Sequence, residues 1–314
     1  MVVRRVRHFG LLSNVDSTIL RLSPFFGHDV RRVEYDELMR IFTQVEGLPE
    51  MRAFQHMQFD LRCYNSMDRC GYAIEDSFDV ECDALKPGEP IAFLPQLTQH
   101  DTEAQQKLIP GLQVLRLMAN GNVSLHYQNY LIETGGSFQR VMGRSTTMKV
   151  GAFPFSLEGV DIQQVAEALD KLHLPFANEY LNLALEDFDL AYQAERPALA
   201  FLILMVALEA LFNQGTSEVT YSIARCTAVM NGKTRAEALG IFKDVRELYK
   251  KRSSIVHRGL LRQLDSAKLE RLRTLVRRSI LEAGLLDLRR GELFDRLNSK
   301  GFPTNIDSSK ALAL

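Results

Sequence analysis

The chain has 314 residues, of which 46% are apolar and 25% charged, with a formal net charge of −1. That length allows two domains of ordinary size, and the balance excludes disordered, collagen-like and fibrous classes. The near-neutral charge excludes a global attraction to nucleic acid, so any such binding needs a local concentration of cations.

The cysteines, Cys63, Cys70, Cys82 and Cys226, form no CxxC pair and have no histidine at zinc-ligand spacing, so neither a disulfide framework nor a metal site is expected. The basic start (Arg4, Arg5, Arg7) leads into a mixed segment and does not read as a secretory signal. The longest apolar run, Ala198–Leu208, is far short of the roughly 20 residues that cross a bilayer. A cytoplasmic protein with no membrane partner is expected.

Up to about residue 157 the pattern alternates, as in half-buried strands. Met57, Phe59, Leu61 and Cys63 oppose Gln58, Asp60 and Arg62, and Phe78, Val80 and Cys82 repeat the pattern. Asn120-Gly121, set between Leu115, Leu117 and Val123, Leu125, Tyr127, predicts a hairpin over Gln113–Tyr130. Tyr64, Tyr127 and Tyr130 are either base-stacking or cross-strand packing residues. His8, His28, His56, His100, His126 and His173 are scattered and carry no assigned role.

Asp161, with Gln164 three residues on, predicts a capped helix carrying Val165, Ala168, Leu169 and Leu172. The stretch from His173 to Asn178, with Pro175, marks a domain boundary. Beyond it the period becomes helical. Leu181, Ala184, Leu185, Phe188, Ala191 and Tyr192 make one stripe, and Pro197 opens an apolar helix to Phe212. Further helices are predicted over 218–229, 234–257 and 265–283. The fold class is therefore α+β, with a β-rich antiparallel sheet or sandwich over 1–174, an all-α bundle over 175–290 and a tail over 291–314.

In the fourth of these helices Ile241, Phe242, Val245, Leu248, Tyr249, Ile255 and Val256 form the core stripe, and Arg252 falls in its middle. A guanidinium facing inwards needs a carboxylate, a phosphate or a wet cleft. Glu209, interrupting the apolar second helix, offers the carboxylate, so both a polar pocket and a register-fixing ion pair are open. His257 follows five residues later and reads alone as a helix-terminal cation. Between 251 and 280, nine basic residues (Lys251, Arg252, Arg258, Arg262, Lys268, Arg271, Arg273, Arg277, Arg278) face only Asp265 and Glu270, nine against two giving +7. This suits a polyanion, or else a solvated helix face with Arg271, Arg277 and Arg278 outward.

Tyr249-Lys250-Lys251-Arg252-Ser253-Ser254-Ile255-Val256-His257-Arg258-Gly259 resembles the Arg-x4-His signature of HEPN domains, in its Apea-like branch. Leu208–Phe212 and Tyr221–Arg225 resemble that branch's earlier helices, in order and at suitable distances, over about 115 residues. Arg258 stands where the branch often has glycine. The resemblance implies a metal-independent endoribonuclease, needing no cofactor, that acts as a homodimer or higher homo-oligomer. Arg252 would clamp the scissile phosphate and His257 move the proton, with Glu209, Arg225, Ser253 and Tyr249 in support and Lys251, Arg258 and Arg262 on RNA. It also implies a toxin or antiviral effector, its N-terminal half recognising a protein or phage-derived trigger. A non-catalytic HEPN module binding RNA, nucleotides or partners is the alternative.

Overall fold

The computed structural model of the chain describes residues 2–43, 70–82, 95–134, 137–145, 154–213, 215, 218–258 and 265–301. The chain divides into two compact units, Met1–Ala166 and Glu167–Leu314. The fold is α+β: an antiparallel sheet comes first and helices follow.

In the first unit β1 (Val2–Ser13) lies at the centre of a five-stranded sheet with β2 (Asp29–Glu34), β3 (Cys70–Cys82), β4 (Ser124–Thr134) and β5 (Ser137–Ser145), in the order β2-β3-β1-β4-β5. Every pairing between these five strands is antiparallel. Because side chains alternate along a strand, β1 sends Phe9 and Leu11 to one face, where α1 (Tyr35–Thr43) closes over them with Leu38 and Ile41. Val6 goes to the other face with Val80, Tyr130 and Ile132, beneath Leu97 of α2 (Pro95–Met118). Phe78 packs on this second cluster, as the alternation of β3 predicts. Tyr127 and Tyr130 are buried in the two clusters and are packing residues. The 57–63 alternation, with Tyr64, lies outside the described residues.

The hairpin expected over Gln113–Tyr130 is not formed. Residues 113–118 are the last turns of α2, and strand begins only at Ser124. Buried Leu97, Asp101, Ala104, Leu108, Leu112 and Leu115 recur every three or four positions, and this longer helical period outweighs the short local alternation. Gly121 still takes a positive φ of 118°, and a Cβ there would lie 2.4 Å from the Phe155 backbone, so the glycine serves a close approach between segments.

Around the second unit the predicted helices are found nearly as expected: α3 (Ile162–Lys171), α4 (Glu179–Gln193), α5 (Pro197–Phe212), α6 (Val219–Asn231), α7 (Arg235–Arg258) and α8 (Ser266–Leu286). Asp161 caps α3 by accepting from the Gln163 amide at 2.9 Å, not from residue 164. Helix α5 packs against α4, α6, α7 and α8, which bury Phe201, Leu204, Leu208 and Leu211, while Leu199 and Val206 stay exposed. The link between α4 and α5, residues 194–196, is too short to return along a helix, so the two run roughly antiparallel. The chain does not become a tail at 291. Arg290–Ser299 is a helix, α9, that packs on α6 and buries Leu293 and Leu297, a one-turn apolar pair.

Candidate active site

Along α7 the buried residues Ile241, Val245, Leu248 and Ile255 keep helical spacing, and Arg252 occupies the slot between the last two. Its Nη2 lies 3.3 Å from Glu209 Oε1, reaching the helix that the apolar sequence of α5 holds in the core. Tyr249, one turn earlier, donates its hydroxyl to Glu209 at 2.9 Å, and the Arg252 guanidinium carbon lies 5.6 Å from the Tyr249 ring centroid. Glu209 thus ties two side chains of α7 to α5. Burial, followed by the hydrogen bond to the Glu209 carboxylate and its charge, pushes the Tyr249 hydroxyl up to about 12.

This is not a saturated ion pair. The Arg252–Glu209 contacts run through one nitrogen at 3.3 and 3.5 Å, longer than the 2.7–2.9 Å usual for charge-assisted bonds, and 30% of the Arg252 side chain is exposed. Among the described residues no hydrogen-bond partner is found for Arg252 Nη1 or Nε. A guanidinium held from one side with two donor sites open suits an anion.

His257 is exposed in the last turn of α7 and pairs with no described residue. The helix is unbroken from Arg252 through His257, so five residues set the two side chains about 140° apart and about 7.5 Å along the axis. Gly259, which ends the segment resembling the HEPN signature, lies outside the described residues, as does Arg262. Arg258 is the last residue of α7. Ser253 is exposed. Val256, expected in the core stripe, is 52% exposed.

Arg225 has a different place. It donates to the carbonyls of Leu297, Asn298 and Lys300 and to Asn298 Oδ1, closing the end of α9, and among the described residues it makes no hydrogen bond to Glu209 or Arg252. Lys251 lines a cavity of about 290 Å³ between α7 and α8 with Asp244, Asp265, Lys268 and Arg271, where desolvation and the Lys268 ammonium lower its pKa. Much of the local positive charge is turned inwards. Arg273 is buried at 1% exposure, 4.3 Å from the Tyr192 ring centroid. Arg277 and Arg278, expected outward, are half-buried, and Arg278 donates to the Asn231 carbonyl at 2.9 Å. Arg271 pairs with Asp244 at 3.2 Å.

In the first unit the fold also collects residues to which the sequence assigned no role. His8, His28 and His100, far apart in the chain, meet around Asp76. His126 is buried separately, and His173 is exposed. No family model matches the chain, and neither does any curated protein or solved structure.

Proposed function

We propose that the second unit is a metal-independent endoribonuclease of HEPN type. The observation that carries this reading is the half-open Arg252, held by Glu209 through Nη2 while Nη1 and Nε keep their donors for a phosphate. Phosphodiester cleavage needs a fixed cation at the phosphate and a group that gives and takes protons there. Arg252 supplies the first, and exposed His257, on another side of the same helix end, the second. The ribose 2′-oxygen attacks phosphorus as its proton passes to a base, and the 5′-oxygen departs with a proton from an acid. The product is a cyclic phosphate.

One histidine cannot stand on both sides of the phosphorus. A two-fold contact between protomers along the end of α7 brings a second Arg252 and His257 to the same groove without any new sequence feature. In this reading Tyr249 and Glu209 position Arg252, Lys251 and Arg258 meet the RNA backbone, and the first unit receives a trigger in the cytoplasm of a cell under attack. Arg225 closes α9 and is a structural residue of the unit.

The reading is tested by Arg252→Ala and His257→Ala. Each is expected to abolish RNA cleavage with the helical circular dichroism unchanged, while wild-type cleavage persists in EDTA. Cleavage retained in both variants refutes it. The Glu209–Tyr249–Arg252 contacts also favour a second reading, a non-catalytic module for RNA, nucleotides or partners, in which Arg252 fixes helix register; loss of helical signal in Arg252→Ala selects that one.

A further inference from the structure

A second polar centre lies beneath α2. His8 on β1 stands in register with Asp76 on β3 and with Tyr130 on β4, so all three side chains share one face of the sheet. His28 enters from a tight turn closed by paired hydrogen bonds between Phe25 and His28, in which Phe26 and Gly27 take positive φ of 50° and 85°. His100 comes from α2, its ring stacked on Phe78 at 3.8 Å between centroids. Four elements distant in sequence thus direct three imidazoles at one carboxylate.

The contacts are of two kinds. His100 Nε2 makes a hydrogen bond to Asp76 Oδ2 at 3.0 Å. His28 Nδ1 lies 2.9 Å from Oδ2 and His8 Nδ1 3.4 Å from Oδ1, yet neither contact has hydrogen-bond direction, and both ring nitrogens and Oδ1 are buried. Two ligands about 2.0–2.1 Å from one ion, subtending roughly 90–110°, lie about 2.9–3.4 Å apart, the spacing at which His28 Nδ1 meets Oδ2 and His8 Nδ1 meets Oδ1.

Around these groups stands an outer layer of the kind that orients metal ligands. Tyr130 stacks on His8 at 4.7 Å, and His100 holds the carboxylate.

We propose that His8, His28 and Asp76, whose ligand atoms lie within 4.8 Å of one another, bind one divalent first-row transition ion, with His100 as the outer partner of the carboxylate. Two imidazoles and a carboxylate suit zinc(II), cobalt(II) or iron(II) and are a poor match for calcium or magnesium, which prefer oxygen. Three protein ligands leave a position for water. An ion here joins β1, β3 and the Phe25–His28 turn at the ligands and reaches α2 through His100.

Cobalt(II), which reports ligand geometry by its visible absorption, is titrated into the full tag-free chain, and metal content is measured by mass spectrometry after zinc loading and desalting. Wild type is expected to take up one ion per chain and to show the visible bands of low-coordinate cobalt. His28→Ala and Asp76→Asn, both less buried changes than one at His8, are expected to lose that ion with the circular dichroism preserved. His100→Ala is expected to keep one ion but bind it ~10–100-fold more weakly. No stoichiometric uptake by wild type overturns the proposal, as does uptake that survives in both ligand variants. Abolition by His100→Ala as complete as that by Asp76→Asn overturns the assignment of His100 to the outer layer.

Discussion

Glu209→Gln removes a charge while keeping the volume of the side chain, and it separates the roles of the groups around Arg252. Breaking an exposed ion pair costs about 0–1 kcal/mol and breaking a buried one about 3–5 kcal/mol. Glu209 and Arg252 are 18% and 30% exposed, between those limits, and the Tyr249 bond loses its charge assistance as well. A loss of ~2 kcal/mol follows, or ~4–8 °C in the melting temperature for a unit of this size. The variant should also lower the Tyr249 hydroxyl from about 12 towards its ordinary value of 10.0, because the burial effect remains while the carboxylate charge is gone. This is read at 295 nm as the difference between Glu209→Gln and the double variant with Tyr249→Phe. Cleavage should fall without vanishing, since Arg252 is present but less well held. Unchanged melting together with an unchanged Tyr249 titration would refute the clamp.

At the edge of the first unit, Arg31 and Arg7 contact Glu37 at 2.6 and 2.9 Å. The Arg31 hydrogen bond, followed by that from Arg7 and opposed by burial, lowers the Glu37 pKa from 4.5 to about 2. Its contribution is complete above pH 4.5 and is lost as pH falls towards 2, so Glu37→Gln should flatten acid unfolding in that window, by about 1–2 kcal/mol after solvent screening. Denaturant melts at pH 6, 4 and 3 measure this, and parallel curves for variant and wild type would exclude it. Light scattering across a concentration series should show a dimer whose dissociation parallels loss of cleavage, and RNA affinity should fall steeply with salt as backbone cations are screened. A monomer that cleaves at full rate at every concentration sinks the composite site.

The helical half was legible because its period persists over long windows. Pro197 and Phe212 bound α5 as read, and Asp265 caps α8 by accepting from the Lys268 amide at 2.7 Å. Arg252 was legible for the same reason, as a charge in a slot that spacing reserves for an aliphatic residue. Arg273 was not. It is as buried as its leucine neighbours, and only the third dimension places the Tyr192 ring over its guanidinium. Helix α2 was misread at its C-terminal end because Leu115 and Leu117 alternate across a glycine turn, whereas its period is visible only from Leu97 onward. The histidines around Asp76 were illegible because they lie on separate elements at no fixed spacing. Only the register of β1 with β3, which sets His8 opposite Asp76, brings the first pair together.

The two polar centres meet burial in opposite ways, and the difference bears on what each can do. An imidazole can shed its proton, and burial lowers the pKa of His8. A guanidinium cannot, so Arg252 enters the apolar stripe only with a permanent anion beside it, and Glu209 supplies one. A phosphate approaching Arg252 therefore meets a like charge already in place. The fork geometry of arginine resolves the conflict. In the proposed nuclease Glu209 would stay on Nη2 while the phosphate took Nη1 and Nε, the long 3.3 Å contact leaving room for the guanidinium to turn between its two anions. Glu209 then sets the angle at which Arg252 presents its free edge, which is why its loss should weaken cleavage where loss of Arg252 abolishes it.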